Sequence, residues 1–124
     1  MKKILVIEDD PGILESLKMV LELSGYYVIV AEDGQIIERG FDGRRPDLIL
    51  MDYWLPIRNG GEITKGLKNT EGTKNIQVII ISASLNIRDI VKECGADDFI
   101  PKPYDLNELL YKIERYTAST NNLA

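Results

Sequence analysis

Five short apolar runs, separated by stretches of helical periodicity, constrain the fold of this chain more than any other feature. They are KILVI (3–7), YYVIV (26–30), DLILM (47–51), QVIII (77–81) and DFI (98–100). Three of them are almost unbroken in Ile, Leu and Val, which suits strands covered on both faces in a parallel sheet. Between the runs, apolar residues recur at helical spacing. Leu14, Leu17 and Leu21 share one face of the first stretch; Ile37, Gly40 and Phe41 mark a weaker second; Ile63 and Leu67 mark a poor third that contains Gly66. Ile87, Ile90, Val91 and Cys94 fit the i, i+3, i+4, i+7 pattern, as do Leu106, Leu109, Leu110 and Ile113.

The boundary residues agree with this order. Asp10 before Pro11 reads as an N-cap with proline in the first turn, and Gly25 and Gly95 stand where helices end. Asp105 with Glu108 three residues later reads as a capping box. A strand followed by a helix, five times over with short connections, forces right-handed crossovers and a doubly wound α/β sheet with helices on both faces. A length of 124 residues suits a single domain, expected over residues 1–117 and followed by a polar tail at 118–124.

Composition narrows the chemistry. A net charge of -5 and a pI near 4.8 oppose direct binding of nucleic acid by this domain. No apolar run is long enough to span a bilayer, so no membrane role is expected. The lone Cys94 excludes an internal disulfide, and the expected location is the cytoplasm. There is no histidine, so site chemistry must run on carboxylate, hydroxyl, amine and backbone groups.

In open parallel sheets, sites form beyond the carboxyl ends of the strands. Glu8, Asp9 and Asp10 follow the first strand, Asp52 the third, Ser82 the fourth and Lys102 the fifth. Singly, each has a structural reading: Asp10 and Ser82 as caps, Asp52 as a turn former, Lys102 as solvated surface. Together they describe something else. Several carboxylates on one rim repel and raise one another's pKa unless a cation joins them, and carboxylate, carbonyl and water oxygens are the ligands magnesium prefers.

The stretches ILVIEDD, PDLILMDYWLPIRNGGE, VIIISAS and CGADDFIPKPYDLNELL carry a resemblance that covers essentially the whole chain. It resembles the receiver domain of bacterial two-component response regulators, of the single-domain chemotaxis-regulator kind. The resemblance implies a flavodoxin-like sheet in the order 2-1-3-4-5 with five helices. It implies that Asp52 is the phosphoacceptor and that Glu8, Asp9, Asp52 and the main-chain carbonyl of Trp54 hold Mg2+, with Mn2+ as an alternative. Ser82 then matches the hydroxyl that bonds the phosphoryl group, Lys102 the amine that pairs with its oxygens, and Phe99 the aromatic switch that moves with Ser82. The bond between Lys102 and Pro103 is expected to be cis. The domain is then no enzyme toward outside substrates: it catalyses only its own phosphorylation and slow dephosphorylation.

With no histidine of its own, the chain needs a donor, and a sensor histidine kinase or phosphotransfer protein fits. The output expected is a changed surface on the fourth helix, fifth strand and fifth helix, read by an unknown downstream protein target or by a phosphorylation-dependent homodimer. The chain reads either as a stand-alone receiver or as the N-terminal receiver of a longer regulator.

Several residues depart from the family's pattern. Leu55 replaces a methionine, Gly61 makes a double glycine expected to weaken the third helix, and Pro101 suits an edge strand or a strand end. Trp54 and Ser84 line the entry to the site and are expected to tune dephosphorylation; the rival reading makes Trp54 a partner contact or simply an exposed residue. Three other classes fit less well. A flavodoxin-like cofactor carrier would need a phosphate-cradling first loop, and EDDPG would repel one. A haloacid-dehalogenase-type phosphatase would carry an aspartate where Trp54 stands. A degenerate receiver would have lost one of the five site groups.

Overall fold

The computed structural model describes residues 1–118, and the polar tail expected at 118–124 lies outside the described residues from position 119 onward. The strands are β1 (Lys3–Ile7), β2 (Tyr27–Ala31), β3 (Leu48–Asp52), β4 (Gln77–Ser82) and β5 (Asp98–Pro101). The helices are α1 (Pro11–Leu23), α2 (Gln35–Glu38), α3 (Gly60–Lys68), α4 (Ile87–Cys94) and α5 (Leu106–Ala118). All strand pairs are parallel, in the order β2-β1-β3-β4-β5. This is the doubly wound architecture expected from the alternating runs. Pro101 ends the edge strand β5, where its missing N–H costs no ladder bond on the open side.

The unbroken apolar runs are explained by two cores, one on each face of the sheet. Ile4, Val6, Leu48, Leu50, Ile79 and Ile81 point to one side, where Leu14, Leu17 and Leu21 of α1 and Leu109 and Ile113 of α5 cover them. The alternate residues Leu5, Ile7, Ile49, Met51, Val78 and Ile80 point to the other, under Ile36, Ile63, Leu67 and Cys94. A strand read by both cores has no polar position to offer, so period-two alternation disappears from its sequence.

Local chemistry sets the helix limits. Asp10 Oδ1 accepts from the N–H groups of Gly12 (2.9 Å) and Ile13 (3.1 Å), which caps α1. α1 ends at Leu23 with Ser24 as its cap, one residue before Gly25, and α4 ends at Cys94 with Gly95 as its cap. Asp105 accepts from Asn107 N–H at 2.7 Å, while Glu108 is exposed. Leu106 is also exposed, so the buried stripe of α5 begins at Leu109.

The weak second helix is a single turn. After it, Gly40, Phe41, Asp42 and Gly43 all take positive φ (63°, 58°, 51° and 80°), a left-handed turn that ends the helix. Such angles cost an L-residue about 1–2 kcal/mol. The turn drives the Phe41 ring into the core, where it is 4% exposed, and an Arg39–Asp42 ion pair at 3.0 Å braces it outside.

The double glycine does not prevent α3 from forming, because Asn59 caps it by accepting from Glu62 N–H at 2.9 Å. Gly60 is required by close approach: a Cβ there would lie 2.6 Å from the carbonyl oxygen of Asp52. Its N–H donates to Tyr53 O at 2.7 Å, tying the start of α3 to the end of β3. Gly60→Ala is therefore expected to destabilise the protein by about 1–3 kcal/mol in urea or thermal unfolding. Gly72→Ala, where nothing lies within 4 Å of the added atom, is the control and should stay within about 0.5 kcal/mol of wild type.

Candidate functional site

The connection from β1 through α1 to β2 runs one way along the sheet, and the chain then returns past β1 to β3. The direction of winding therefore reverses between β1 and β3, the switch point above whose strand ends open parallel sheets form their sites. Glu8 stands on one side of it and Asp52 on the other. Glu8 extends the β1 ladder by donating its N–H to Ala31 O at 3.0 Å. Asp52 is the last residue of β3, paired with Ile81, and Tyr53 N–H donates to Ile81 O at 2.9 Å. Both carboxylates thus project from backbone fixed by the sheet.

Carboxylate oxygens of Glu8, Asp9 and Asp52 all lie within 4.8 Å of one another. Glu8 and Asp52 are buried, at 4% and 7% exposed, and Asp9 faces solvent. Asp10 is committed to capping α1, as its single reading implied. Lys102 Nζ lies 3.4 Å from Asp52 Oδ2 and 3.9 Å from Glu8 Oε1, supplying one positive charge against three negative. Asp52 Oδ1 is buried with no hydrogen-bond partner among the described residues. An orphaned anionic oxygen in such a place costs free energy until something positive reaches it.

Glu8 registers that cost. Burial, then the Asp52 charge and a hydrogen bond to it, push its pKa from the usual 4.5 to about 7, although the Asp10 N–H at 3.3 Å and the Lys102 charge pull the other way. Three hard oxygen donors, an orphaned oxygen and a carboxyl held partly protonated fit a small divalent cation of the magnesium or manganese kind.

Ser82 ends β4, and Ser84 and Trp54 lie on the connections that follow β4 and β3. Ser82 is 1% exposed at the end of β4, and its Oγ accepts from Ser84 N–H at 3.0 Å. Ser84 is half-buried and donates its hydroxyl to the side chain of Asn86. Lys102 N–H donates to Ser82 O at 2.9 Å, which ties the last two strand ends together. The Lys102–Pro103 peptide is cis. Trp54 is 65% exposed, its ring edge-on to Tyr53 with centroids 4.9 Å apart. Beyond it, Ile57 takes φ 74° while Arg58 N–H donates to Pro56 O at 2.8 Å, a tight γ-turn rare for a β-branched residue.

Phe99 lies away from the carboxylates, half-buried on the edge strand. The Arg88 guanidinium of α4 lies 5.4 Å from its ring centroid and the Lys112 ammonium of α5 lies 5.0 Å from it. Neither cation was legible as a site residue, because each looks like an ordinary solvated position on an amphipathic helix. The γ-turn at Ile57 left no sequence signal either.

The family model described as the response regulator receiver domain matches residues 4–114. The phosphate regulon transcriptional regulatory protein PhoB of Escherichia coli is 37% identical over 115 residues, covering 91% of this chain and 50% of PhoB. The chain spans about half the length of the curated relatives it matches. The receiver domain of a signal transduction histidine kinase from Syntrophus aciditrophicus superposes with a TM-score of 0.87 at 35% identity, covering 95% of this chain and 91% of that one. The receiver domain of the sensor histidine kinase PA1611 from Pseudomonas aeruginosa, solved with magnesium in its active site cleft, gives 0.84 at 28% identity, covering 95% and 98%.

The raised Glu8 pKa has a measurable consequence. Between pH 4.5 and about 7 the folded protein keeps a proton on Glu8 that the unfolded chain has released, so metal-free stability falls as pH rises through that window. Glu8→Gln removes the burden: in EDTA the variant should melt above wild type at pH 8, with the gap closing below pH 4.5. Added magnesium should raise the wild-type midpoint at pH 8 more than the variant's. A gap that does not depend on pH would contradict the assignment.

Proposed function

This chain belongs to the response regulator receiver family of two-component systems, and we propose from that premise that it accepts a phosphoryl group on Asp52. The observation that carries the reading is the buried Oδ1 of Asp52, without a hydrogen-bond partner among the described residues, within a cluster of three carboxylates opposed by Lys102. A magnesium ion held by Glu8, Asp9, Asp52 and the Trp54 carbonyl would supply charge neutralisation for the incoming phosphoryl oxygens.

The chain's own groups do the rest. A carboxylate oxygen of Asp52 attacks the phosphorus of a phosphoimidazole, the P–N bond breaks, and the imidazole leaves with its electron pair. The transition state is loose, so positioning and charge matter more than covalent activation. Lys102 pairs with the anionic oxygens, and Ser82 turns its hydroxyl from the Ser84 N–H contact to donate to one of them. The donor is a sensor histidine kinase or phosphotransfer protein, since the chain has no imidazole. Its catalysis extends only to its own phosphorylation and slow dephosphorylation.

Movement of Ser82 draws the β4–α4 connection toward the phosphoryl group, and Phe99 turns into the space released. The altered face of α4, β5 and α5 is then read by a downstream protein or by a second copy of the chain. Residues 1–117 are the receiver unit, either acting alone or as part of a longer protein, since the curated relatives run to about twice the length of this chain. The expected setting is the cytoplasm; among the described residues no helix is long and apolar enough to cross a membrane.

Exposure to a small-molecule phosphodonor tests the reading by intact mass. Wild type should gain one phosphoryl group only with magnesium present, and Asp52→Asn should gain none. Modification of Asp52→Asn at the wild-type rate would overturn the assignment. Trp54, large and exposed beside the site, is proposed to shield the acyl phosphate from water, so phosphorylated Trp54→Asn should lose phosphate faster than wild type. Equal or slower release would remove that role.

A further inference from the structure

The Phe99 ring is held by charge as well as by packing. Lys112 Nζ donates to Asp98 Oδ1 at 3.2 Å and to the carbonyl oxygen of Phe99, and Asp98 is itself fixed by the Tyr116 hydroxyl at 3.0 Å. The ammonium is thus anchored to the β5 backbone, 5.0 Å from the ring centroid, with its side chain only 20% exposed. Arg88, arriving from α4, places a second cation 5.4 Å from the same centroid. A cation over an aromatic face is attracted by the ring quadrupole, more strongly where water is partly excluded.

From this arrangement we infer that Arg88 and Lys112 form a cation–π clamp that holds Phe99 in its resting position and so sets the threshold for phosphorylation. The inference rests on the reading of Phe99 as the switch residue. When the ring turns inward it leaves Lys112 behind, because that ammonium is tethered to Asp98 and to the Phe99 carbonyl, and it turns away from Arg88 on α4. The clamp therefore stabilises the resting state alone. A ligand that selects the inward state binds with an apparent affinity reduced by the small fraction of molecules already in that state. Loosening the clamp raises the fraction and tightens binding by the same factor. Arg88 is the exposed cation, and its loss is expected to be worth about two- to fivefold.

The sign separates this device from simple electrostatics. Removing a positive charge from the domain should weaken binding of an anion at Asp52, whereas releasing the clamp should strengthen it. The chain has two phenylalanines, and Phe41 is buried far from the switch, so 4-fluorophenylalanine labelling yields two 19F resonances, one of them a direct report on Phe99. The probe is beryllofluoride with magnesium, titrated against wild type, Arg88→Gln, Arg88→Lys and Lys112→Met.

Without ligand, Arg88→Gln should shift the Phe99 resonance part-way toward its saturated position and bind beryllofluoride about two- to fivefold more tightly. Arg88→Lys, which keeps a cation, should stay near wild type, and Lys112→Met should move in the same direction as Arg88→Gln. In a Phe99→Leu background the Arg88→Gln effect on affinity should vanish. If saturating beryllofluoride moves the wild-type Phe99 resonance but Arg88→Gln leaves resonance and affinity unchanged, or weakens binding, the clamp is overturned while the switch stands. If saturating beryllofluoride leaves the wild-type resonance unmoved, the switch reading fails and the clamp falls with it.

Discussion

Repulsion between the buried carboxylates of Glu8 and Asp52, incompletely offset by Lys102, is the constraint on which the rest of the structure depends. One ammonium at 3.4 and 3.9 Å cannot neutralise three acids, and the imbalance appears as a Glu8 pKa pushed up to about 7 and an aspartate oxygen with no hydrogen-bond partner among the described residues. A fold that sought stability alone would relieve this by replacing an acid with a neutral side chain, since a buried unpaired charge is among the costliest features a domain can carry. Here the sheet instead enforces the crowding. Glu8 and Asp52 issue from central, adjacent strands whose backbones are bonded on both sides, so neither can swing away.

The surrounding scaffold serves the same end. Gly60 lets the start of α3 lie against the Asp52 carbonyl, and the bond from Gly60 to Tyr53 closes the loop that carries Trp54. The strained turn at Ile57 keeps that loop compact. On the opposite side, hydrogen bonds link Ser82 to Ser84 through a hydroxyl and to Lys102 through a carbonyl. Ser82 is thus bonded both to the β4–α4 connection and to the end of β5.

Much of this was legible in the sequence, for definable reasons. Strand positions followed from apolar runs; β2 and β3 each lie one residue later than those runs, because Ala31 and Asp52 continue the ladder without being greasy. The acids could be grouped because strand ends in a parallel sheet converge. What stayed hidden depends on contacts between distant elements. Nothing in GFDG marks Phe41 and Asp42 as left-handed apart from the flanking glycines. The protonation of Glu8 needs its burial to be known, and the two cations over Phe99 come from helices on either side of the edge strand in sequence. Gly61 was expected to weaken α3; its tolerance comes from the Asn59 cap and from close packing against the Tyr53 ring, 3.2 Å from where a Cβ would stand.

If the carboxylate cluster is a cation site, the bound ion makes one aspartate oxygen able to take a phosphoryl group. Crystals of the protein soaked with magnesium and beryllofluoride test it most directly. The ion is expected on Glu8, Asp9 and Asp52, with the fluoride adduct on Asp52 near Lys102 and Ser82. Magnesium bound elsewhere, or an adduct on another side chain, would contradict it.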